Sequence, residues 1–305
     1  MTVLLGRSST KIVRGACGNG GGRRKRLSIS PGTTLGSYLI VEQIGRGGMA
    51  TVYKAYEEPL TRHVAIKVLP EFFAEDKDYR VRFQVEAVAV AKLRHNNILT
   101  VFAYGEEEGV PYIVCEFVDG GTLAQRLDGV MAIADALLVL TPVASALDYA
   151  HSQGVLHRDI KPSNIMMLSD GTPVLTDFGL AKVIGGATIT VTGQVLGTPE
   201  YMAPELVQGD GAGPAADRYS LGVVAYQMLT GRVPFQGNTP GATLMSQVQD
   251  PLPPAREINP DLTVEIAVIL DKALAKAPAE RYETASAFVA DLASAGLPAP
   301  MEATG

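Results

Sequence analysis

The chain has few cysteines, no long uninterrupted apolar stretch and no excess of positive charge. Its two cysteines among 305 residues are Cys17, in a glycine-rich segment, and Cys115, in an apolar stretch. A disulfide between them is not expected, which fits a reducing compartment and predicts a cytoplasmic location. No apolar run reaches the roughly eighteen residues of a membrane-spanning helix, so no membrane span is expected. A net charge of −6 disfavours nucleic acid as a partner, because phosphate backbones select basic surfaces.

Composition and local pattern divide the chain into a domain and two tails. Apolar residues make up 47% of the sequence, enough at this length to bury a substantial core. Residues 1–35 carry a glycine run and the basic block 23–26 without apolar periodicity. We predict a flexible linker there, with attraction to acidic lipid or a docking role as the alternative. The domain is predicted to span residues 36–295, followed by a C-terminal tail over 296–305.

The apolar pattern changes from strand-like to helical near the middle of the domain. It predicts an α+β fold with two lobes and a cleft between them. The smaller lobe, residues 36–117, is expected to hold a five-stranded antiparallel sheet and one helix over 76–93. The larger lobe, residues 118–295, is expected to be mainly helical, with Pro142 kinking its long second helix. The predicted strands are 38–41, 52–55, 63–69, 98–102 and 111–117, and the later helices are 122–127, 132–153, 215–230, 241–248, 263–275 and 285–292.

Two short segments of the larger lobe carry residues suited to phosphoryl transfer. Residues 157–164 read His-Arg-Asp-Ile-Lys-Pro-Ser-Asn, and Asp177-Phe178-Gly179 follows thirteen residues after Asn164. Transfer of a phosphoryl group to a hydroxyl needs a base, a cation near the phosphate and oxygen ligands for Mg²⁺. Mg²⁺ keeps waters and phosphate oxygens, so one Asp and one Asn suffice. Taken alone, each segment is weak evidence, since an Asp-Phe-Gly is more often a turn.

The smaller lobe carries a glycine-rich segment and a strand lysine. Residues 45–52 lie between two predicted strands, and their glycines let backbone amides approach phosphate oxygens. Such a segment is more often a plain hairpin, and it precedes no helix, which argues against a dinucleotide fingerprint or Walker loop. Lys67 alternates with apolar neighbours on the third strand, either reaching solvent or facing an anion in the cleft. Glu86, on the following helix, is its candidate ion-pair partner.

The order and spacing of these motifs resemble those of the eukaryotic-like (Hanks-type) protein kinases, in a bacterial style. The resemblance implies ATP and Mg²⁺ as cofactors, with Mn²⁺ able to substitute. It implies that Asp159 orients the substrate hydroxyl, that Lys161 balances the γ-phosphate charge, and that Asn164 and Asp177 hold the metal. His157 is expected to be a packed structural residue rather than a base.

The resemblance also implies a nucleotide site between the lobes. Lys67, oriented by Glu86, would contact the α- and β-phosphates. The backbone of Glu116 and Val118 would bond adenine, and Cys115 would be a small, inert thiol at the gatekeeper position. Ala50 replaces the family's third glycine. The implied nucleotide-binding residues are Ile44, Gly45, Arg46, Gly47, Gly48, Met49, Ala50, Val52, Ala65, Lys67, Glu86, Glu116, Val118 and Met166, of which Ile44, Val52, Ala65 and Met166 would sandwich the base.

Substrate class and regulation follow from the same resemblance. The residues around Lys161 and the segment 197–201 are similar to those of serine/threonine kinases, so protein Ser/Thr hydroxyls are the expected acceptors. A buried Glu205–Arg281 ion pair and Asp217 bonding the catalytic-loop backbone are implied as structural.

The segment that holds Thr190 and Thr192 is polar and could be an edge strand. By resemblance it is an activation loop whose two threonines are autophosphorylated in a transient homodimer, with Thr188 in reserve. Arg158 would bind the phosphate.

Two other classes of function remain open alternatives. A pseudokinase scaffold would lack catalytic residues, whereas Lys67, Asp159, Asn164 and Asp177 are all intact. A small-molecule kinase would share the catalytic segment but typically lacks Ala203-Pro204-Glu205 and the helix that carries Asp217. The sequence favours a protein kinase over both.

Overall fold

A computed structural model describes residues 29–47, 50–74, 76–178, 198–211 and 213–296. In this part of the chain, six strands form one antiparallel sheet in the order β1-β2-β3-β4-β6-β5. The strands are β1 (Thr34–Leu35), β2 (Tyr38–Arg46), β3 (Thr51–Glu57), β4 (Arg62–Val68), β5 (Val101–Glu107) and β6 (Val110–Glu116).

The sheet thus has one strand more than the five predicted, and the smaller lobe has two helices where one was predicted. Strand β1 is only two residues long and pairs with Leu39 and Tyr38, too short for a periodic pattern to be recognised. Strand β5 begins at Val101 rather than at Ile98, which forms only an isolated bridge to Leu175. A one-turn helix α1 (Glu71–Ala74) precedes α2 (Lys77–Ala91), which corresponds to the predicted helix over 76–93.

Alternate side chains of the sheet build an apolar core on one face. Tyr53 and Ala55 on β3 pack with Val64 and Ile66 on β4, and with Val114 on β6. Successive side chains of a strand point to opposite faces, so the residues between these, including Val52 and Lys67, lie on the other face. The cross-strand pairs Val52–Lys67 and Ala65–Cys115 keep this second face in register across the sheet.

The larger lobe is built around a central buried helix. Helix α6 begins at Pro214, since proline is favoured at the first helical position, and ends at Thr230, where it is followed by Gly231, whose φ of 78° suits glycine. It contacts α4 and α9, and most of its residues are buried. The elements are α3 (Leu123–Arg126), α4 (Ile133–Ser152), β7 (Ile165–Met167), β8 (Pro173–Leu175), α5 (Pro204–Gln208), α6 (Pro214–Thr230), α7 (Pro240–Gln249), α8 (Ala255–Ile258), α9 (Val264–Ala273) and α10 (Ala285–Gly296).

Helix α4 runs as one element through Pro142. The proline removes the bond to the carbonyl of Leu138, a residue that is 72% exposed and can therefore leave that carbonyl to water. By length and composition, α4 is also the one described helix that could cross a membrane, but half of its apolar window is buried inside the protein. It packs against α6 and α10, as the core helix of a globular lobe does.

The connection between the lobes runs tightly against β7. Met167 donates its backbone N–H to the carbonyl of Gly121 at 3.0 Å. A Cβ atom at Gly120 would run into the carbonyl of Met167, so only glycine fits there. The hinge segment is therefore fixed to the larger lobe on the side where the cleft opens.

Candidate active site

The β7–β8 hairpin brings two distant segments of the sequence side by side. Ile165 pairs with Leu175, so Asn164, just before β7, lies beside Thr176 and Asp177, just after β8. The backbone N–H of Thr176 donates to the carbonyl of Asn164 at 3.0 Å. The open end of the hairpin therefore holds both residues predicted to bind metal.

Asp159 is held by its neighbours in the same loop. Asn164 Nδ2 donates to the Asp159 carbonyl at 2.8 Å and to Asp159 Oδ2 at 2.9 Å. Lys161 Nζ lies 2.8 Å from Asp159 Oδ2 and donates to Thr198 Oγ1 at 3.1 Å. The ammonium group of Lys161 is thus within bonding distance of both the Asp159 carboxylate and the Thr198 hydroxyl.

Lys67 connects the smaller lobe to this cluster. Its Nζ lies 2.7 Å from Asp177 Oδ1. Burial would raise the pKa of Asp177, but the charge and hydrogen bond of Lys67, together with Lys161 nearby, hold the pKa below its usual value, so the carboxylate is ionised. Glu86, the predicted partner of Lys67, belongs to α2, and its side chain lies outside what the structure describes.

His157 is fully buried beneath the cluster. Its Nε2 lies 2.9 Å from the carbonyl of Thr176, which only accepts, so Nε2 carries the proton. Its Nδ1 accepts from the Asp159 N–H at 3.3 Å, and its ring packs against Phe178 with centroids 4.5 Å apart. Burial lowers the pKa of His157 despite Asp217 and Asp159 nearby, so the ring is neutral. Both ring nitrogens of His157 are hydrogen-bonded, so this residue has no free nitrogen with which to act as a base.

Asp217 fixes the backbone of the catalytic loop from below. Its Oδ2 accepts from the N–H of His157 at 2.8 Å and its Oδ1 from that of Arg158 at 2.6 Å. His151 Nε2 lies 2.8 Å from the same Oδ2. Sequence reasoning missed His151, because a histidine in the last turn of a helix ordinarily serves that helix's own carbonyls.

Two non-glycine residues of the site have a left-handed backbone conformation. Arg158 has φ 65° and Asp177 has φ 63°. This conformation is unfavourable for residues with a Cβ and persists only where the surroundings impose it. At Arg158, the bond from its N–H to Asp217 is such a constraint.

The residues predicted to surround adenine come from both lobes. Ile44 is the extra residue at a register shift between β2 and β3, and it is 45% exposed. Met166 lies on β7 and bridges to Thr122 beside the hinge. The N–H of Glu116 donates to the carbonyl of Thr100 at 2.9 Å, so this N–H is not available to a ligand. Val118 is buried.

The glycine-rich turn is described except at Gly48 and Met49, and Ala50 is buried. The N–H of Gly47 closes the turn on the carbonyl of Ala50 at 2.9 Å. Neither Gly45 nor Gly47 has a left-handed φ, and a Cβ at Gly45 would meet Val52 at an ordinary 3.7 Å. Neither the backbone conformation nor the neighbouring residues require glycine at Gly45 or Gly47. The missing side chains therefore favour close approach of a ligand to this turn.

Comparison with known proteins agrees with this geometry. A family model for the protein kinase domain matches residues 38–291. The chain belongs to the protein kinase family.

Its curated relatives are bacterial serine/threonine kinases. The serine/threonine-protein kinase PrkC of Bacillus subtilis is 40% identical over 262 residues, 85% of this chain and 40% of that protein. PknB of Mycolicibacterium smegmatis is 40% identical over 264 residues, 84% of this chain and 42% of the relative. The PknI kinase domain of Mycobacterium tuberculosis superposes with a TM-score of 0.71 at 31% identity, covering 88% of this chain and 99% of that one. The chain thus spans about two fifths of the length of these curated relatives and belongs with the bacterial Hanks-type kinases.

Protein kinases use ATP and a divalent metal ion, and the described residues fit the metal. These described residues hold no cluster of three His, Cys, Asp or Glu side chains that alone would cage an ion. Because Asn164 directs Nδ2 at Asp159, its Oδ1 points away from that residue. The amide oxygen of Asn164 and the carboxylate of Asp177 are hard donors, and they suit an ion whose other ligands are water and phosphate oxygens.

A small cavity of about 40 Å³ lies behind Cys115 in this kinase domain. Its lining includes Lys67, Ala87, Ile113 and Phe178. Burial raises the pKa of the Cys115 thiol to about 12, although Lys67 nearby opposes the shift. The thiol is therefore protonated and unreactive at neutral pH, in line with the interpretation from sequence.

Glu205 and Arg281 form a buried bidentate ion pair. Arg281 Nη1 and Nη2 each donate to one carboxylate oxygen of Glu205 at 2.8 Å. The remaining donors of Arg281 bond the backbone carbonyls of Ala215, Ala275 and Lys276. The pair ties α5 to the segment before α10.

The predicted phosphorylation sites Thr190 and Thr192, with Thr188 in reserve, lie outside the described residues. Arg158, their predicted phosphate-binding partner, has an exposed side chain next to the catalytic loop.

Proposed function

We propose that this chain transfers the γ-phosphate of ATP to serine and threonine hydroxyls of proteins, with Mg²⁺ as its divalent ion. The observation that carries the proposal is the contact between Lys67 and Asp177 across the cleft, directly above the Asp159–Lys161–Asn164 loop. Phosphoryl transfer depends on positioning and charge stabilisation more than on covalent chemistry by the protein, and this cluster is arranged for both. Mn²⁺, which accepts the same oxygen donors, is proposed as a substitute.

Each residue of the cluster has a proposed task. Asp159 accepts or orients the proton of the incoming hydroxyl, since its carboxylate is held by Asn164 and Lys161 and is partly exposed. Lys161 balances charge on the transferring phosphoryl group. Asn164 and Asp177 hold the metal, and when bound this ion neutralises phosphate charge. Lys67 takes the α- and β-phosphates, with Glu86 as its orienting partner.

The nucleotide is proposed to lie between the second face of the sheet and β7. Val52, Ala65 and Lys67 share that face, Ile44 stands exposed at its edge, and Met166 faces the hinge from the larger lobe. The backbone of Glu116 and Val118 bonds the base, and residues 45–50 cover the phosphates. The boundaries of the domain, residues 36–295, and its cytoplasmic location remain predictions.

Activation by autophosphorylation is a separate part of the proposal. Thr190 and Thr192 would receive phosphate within a transient homodimer, and the exposed guanidinium of Arg158 would bind the product bidentately. Incubation of the purified chain with ATP and Mg²⁺, followed by mass spectrometry, should find phosphate on one or both threonines. A fully active enzyme with this segment unmodified would contradict the switch.

The proposed division of labour is tested by two variants and a matched control. Asp159→Asn should lower kcat by orders of magnitude with little change in ATP affinity, whereas Asp177→Asn should also weaken binding of metal and ATP. Asp170→Asn is the control, because Asp170 lies in the turn at the other end of the same hairpin, where its carboxylate accepts from the N–H of Thr172. Phosphate transfer to a generic protein substrate and ATP binding are measured for all three.

The outcomes separate the competing functions. Equal ATP binding by the Asp159 and Asp177 variants would contradict the assigned roles. ATP binding by the wild-type chain without transfer to any acceptor would indicate a pseudokinase. Transfer to small hydroxyl compounds but not to protein would indicate a small-molecule kinase.

A further inference from the structure

Helix α7 carries a fully buried glutamine that bonds the turn next to the active site. The side chain of Gln247 has no exposed surface. A buried amide is costly unless its oxygen and nitrogen form hydrogen bonds. Its Oε1 accepts from the hydroxyl of Tyr219 at 2.6 Å. Its Nε2 donates to the carbonyls of Pro199 at 3.3 Å and Glu200 at 2.5 Å.

The orientation of this amide is fixed by its partners. A flipped amide would aim Oε1 at two carbonyl oxygens and Nε2 at a hydroxyl, and so would lose both bonds to the turn. Gln247 is also fixed through its backbone, because Lys276 Nζ donates to its carbonyl at 2.7 Å. The glutamine is therefore a rigid connection between α6, α7 and the turn.

The turn that Gln247 holds begins directly after Thr198. Pro199–Tyr201 form one turn of 3₁₀ helix, and Thr198 Oγ1 receives the bond from Lys161 Nζ. Ser220 holds the far end of the turn, where its Oγ donates to the Tyr201 carbonyl at 2.7 Å. Gln247 holds the near end, one residue from the threonine that contacts the Lys161–Asp159 pair.

We infer that Gln247 is a positioning residue for phosphoryl transfer: it fixes the Pro199 and Glu200 carbonyls and thereby holds Thr198 against Lys161, which in turn pairs with Asp159. The inference rests on the proposed function of Asp159 and Lys161. Without the Gln247 amide, the turn keeps its anchor at Tyr201 but loses both bonds at its start. Thr198 can then withdraw from Lys161, which leaves the ammonium group free to move relative to the Asp159 carboxylate.

A residue that only stabilised the lobe would behave differently, and the chain offers a matched pair to show this. Tyr219 and Tyr226 both lie on α6 and are both fully buried. The hydroxyl of Tyr219 donates to Gln247, whereas that of Tyr226 donates to the carbonyl of Pro253 at 2.9 Å, away from the turn. Tyr219→Phe and Tyr226→Phe each delete one buried hydroxyl, and only the first touches the proposed connection.

The experiment compares Gln247→Met, Tyr219→Phe and Tyr226→Phe with the wild-type chain. Methionine keeps the length and approximate volume of glutamine but donates no hydrogen bond. We expect all three to lower the melting temperature, and Gln247→Met to lower kcat for protein phosphorylation about tenfold or more with KM for ATP unchanged. Tyr219→Phe should show the same direction with a smaller change, and Tyr226→Phe should keep wild-type kcat.

A double variant tests whether the effect passes through Thr198. In a Thr198→Val background the link to Lys161 is already lost, so adding Gln247→Met should change kcat little. Additive effects of the two substitutions, or equal kcat for Gln247→Met and Tyr226→Phe, would overturn the inference while the proposed function stands. If Gln247→Met does not fold, the comparison of kcat between Tyr219→Phe and Tyr226→Phe tests the inference, and equal values would overturn it. A wild-type chain without transfer activity would overturn the proposed function and this inference together.

Discussion

The two lobes bury different kinds of side chain. Among residues whose burial the structure describes, and tyrosines aside, every buried polar or charged side chain lies in the larger lobe; these are His157, Asn164, Glu205, Asp217, Ser220, Thr230, Thr243, Gln247 and Arg281. The buried core of the smaller lobe's sheet is apolar. Apolar packing is non-directional and tolerates repacking, whereas a satisfied buried polar network enforces one geometry.

The catalytic residues follow the same division. Asp159, Lys161 and Asn164 are fixed by bonds within the larger lobe, whereas Lys67 reaches the described part of the cluster through the single ion pair with Asp177. In the proposed mechanism the larger lobe therefore sets the geometry of transfer, and the smaller lobe supplies the Lys67 charge and the sheet face that covers the nucleotide. Four predictions test this comparison.

The largest effect is expected from breaking the buried ion pair. Arg281→Met leaves the Glu205 carboxylate buried without its partner and removes three further bonds to backbone carbonyls. The free energy of unfolding should fall by about 3–5 kcal/mol, measured by urea denaturation. The control is Arg62→Met in the smaller lobe, whose pair with Glu57 is partly exposed, and it should cost about 1 kcal/mol or less. Equal losses would remove the distinction between the lobes.

The second effect is on activity rather than stability. Lys67→Met removes the charge facing Asp177 and should lower kcat on the order of 10²–10³-fold, with a nearly unchanged melting temperature, because most of the fold lies in the larger lobe. Lys54→Met is the control, since Lys54 lies on the same face but over the Phe117 ring, 4.6 Å from its centroid. Near wild-type transfer by Lys67→Met would refute its assignment.

A smaller effect is expected from pH. Burial lowers the pKa of His157 below 6.5, so the unfolded chain binds a proton that the folded chain does not. Its contribution is fully present above pH 6.5 and is lost as the pH falls below that value. The melting temperature should therefore be lower at about pH 5.5 than at about pH 7.5, and the difference should be smaller in His157→Phe. Partial burial lowers the pKa of His95 as well, so part of the slope should remain. An unchanged slope in the variant would show that His157 is protonated in the fold.

The smallest effect on stability is expected at the glycine-rich turn. Gly45→Ala meets only an ordinary contact with Val52, so the melting temperature should hold or rise slightly while KM for ATP increases. Gly120→Ala provides the contrast, because its Cβ would run into the Met167 carbonyl and should destabilise the hinge. A Gly45→Ala variant with unchanged KM would mean that no ligand approaches that turn closely.

The sequence predicted the sheet strands and long helices mostly within a few residues, because their apolar periods are long and regular. It missed β1, α1, α5, α8 and the β7–β8 hairpin, whose segments of two to five residues carry no measurable period. The position of Asp177 beside Asn164 depends on that hairpin and entered the prediction only through family resemblance. Gln247 could not be found, since a buried glutamine and a solvated one look alike in sequence.

The left-handed backbone at Arg158 places a conflict between stability and function at one residue. Glycine would adopt this conformation without the roughly 1–2 kcal/mol that a Cβ costs there, yet the chain keeps arginine. Stability alone would favour glycine at this position, whereas the proposed binding of phosphate requires the guanidinium. An engineer who seeks a more heat-resistant domain should expect Arg158→Gly to raise stability and to remove the group proposed to bind phosphate.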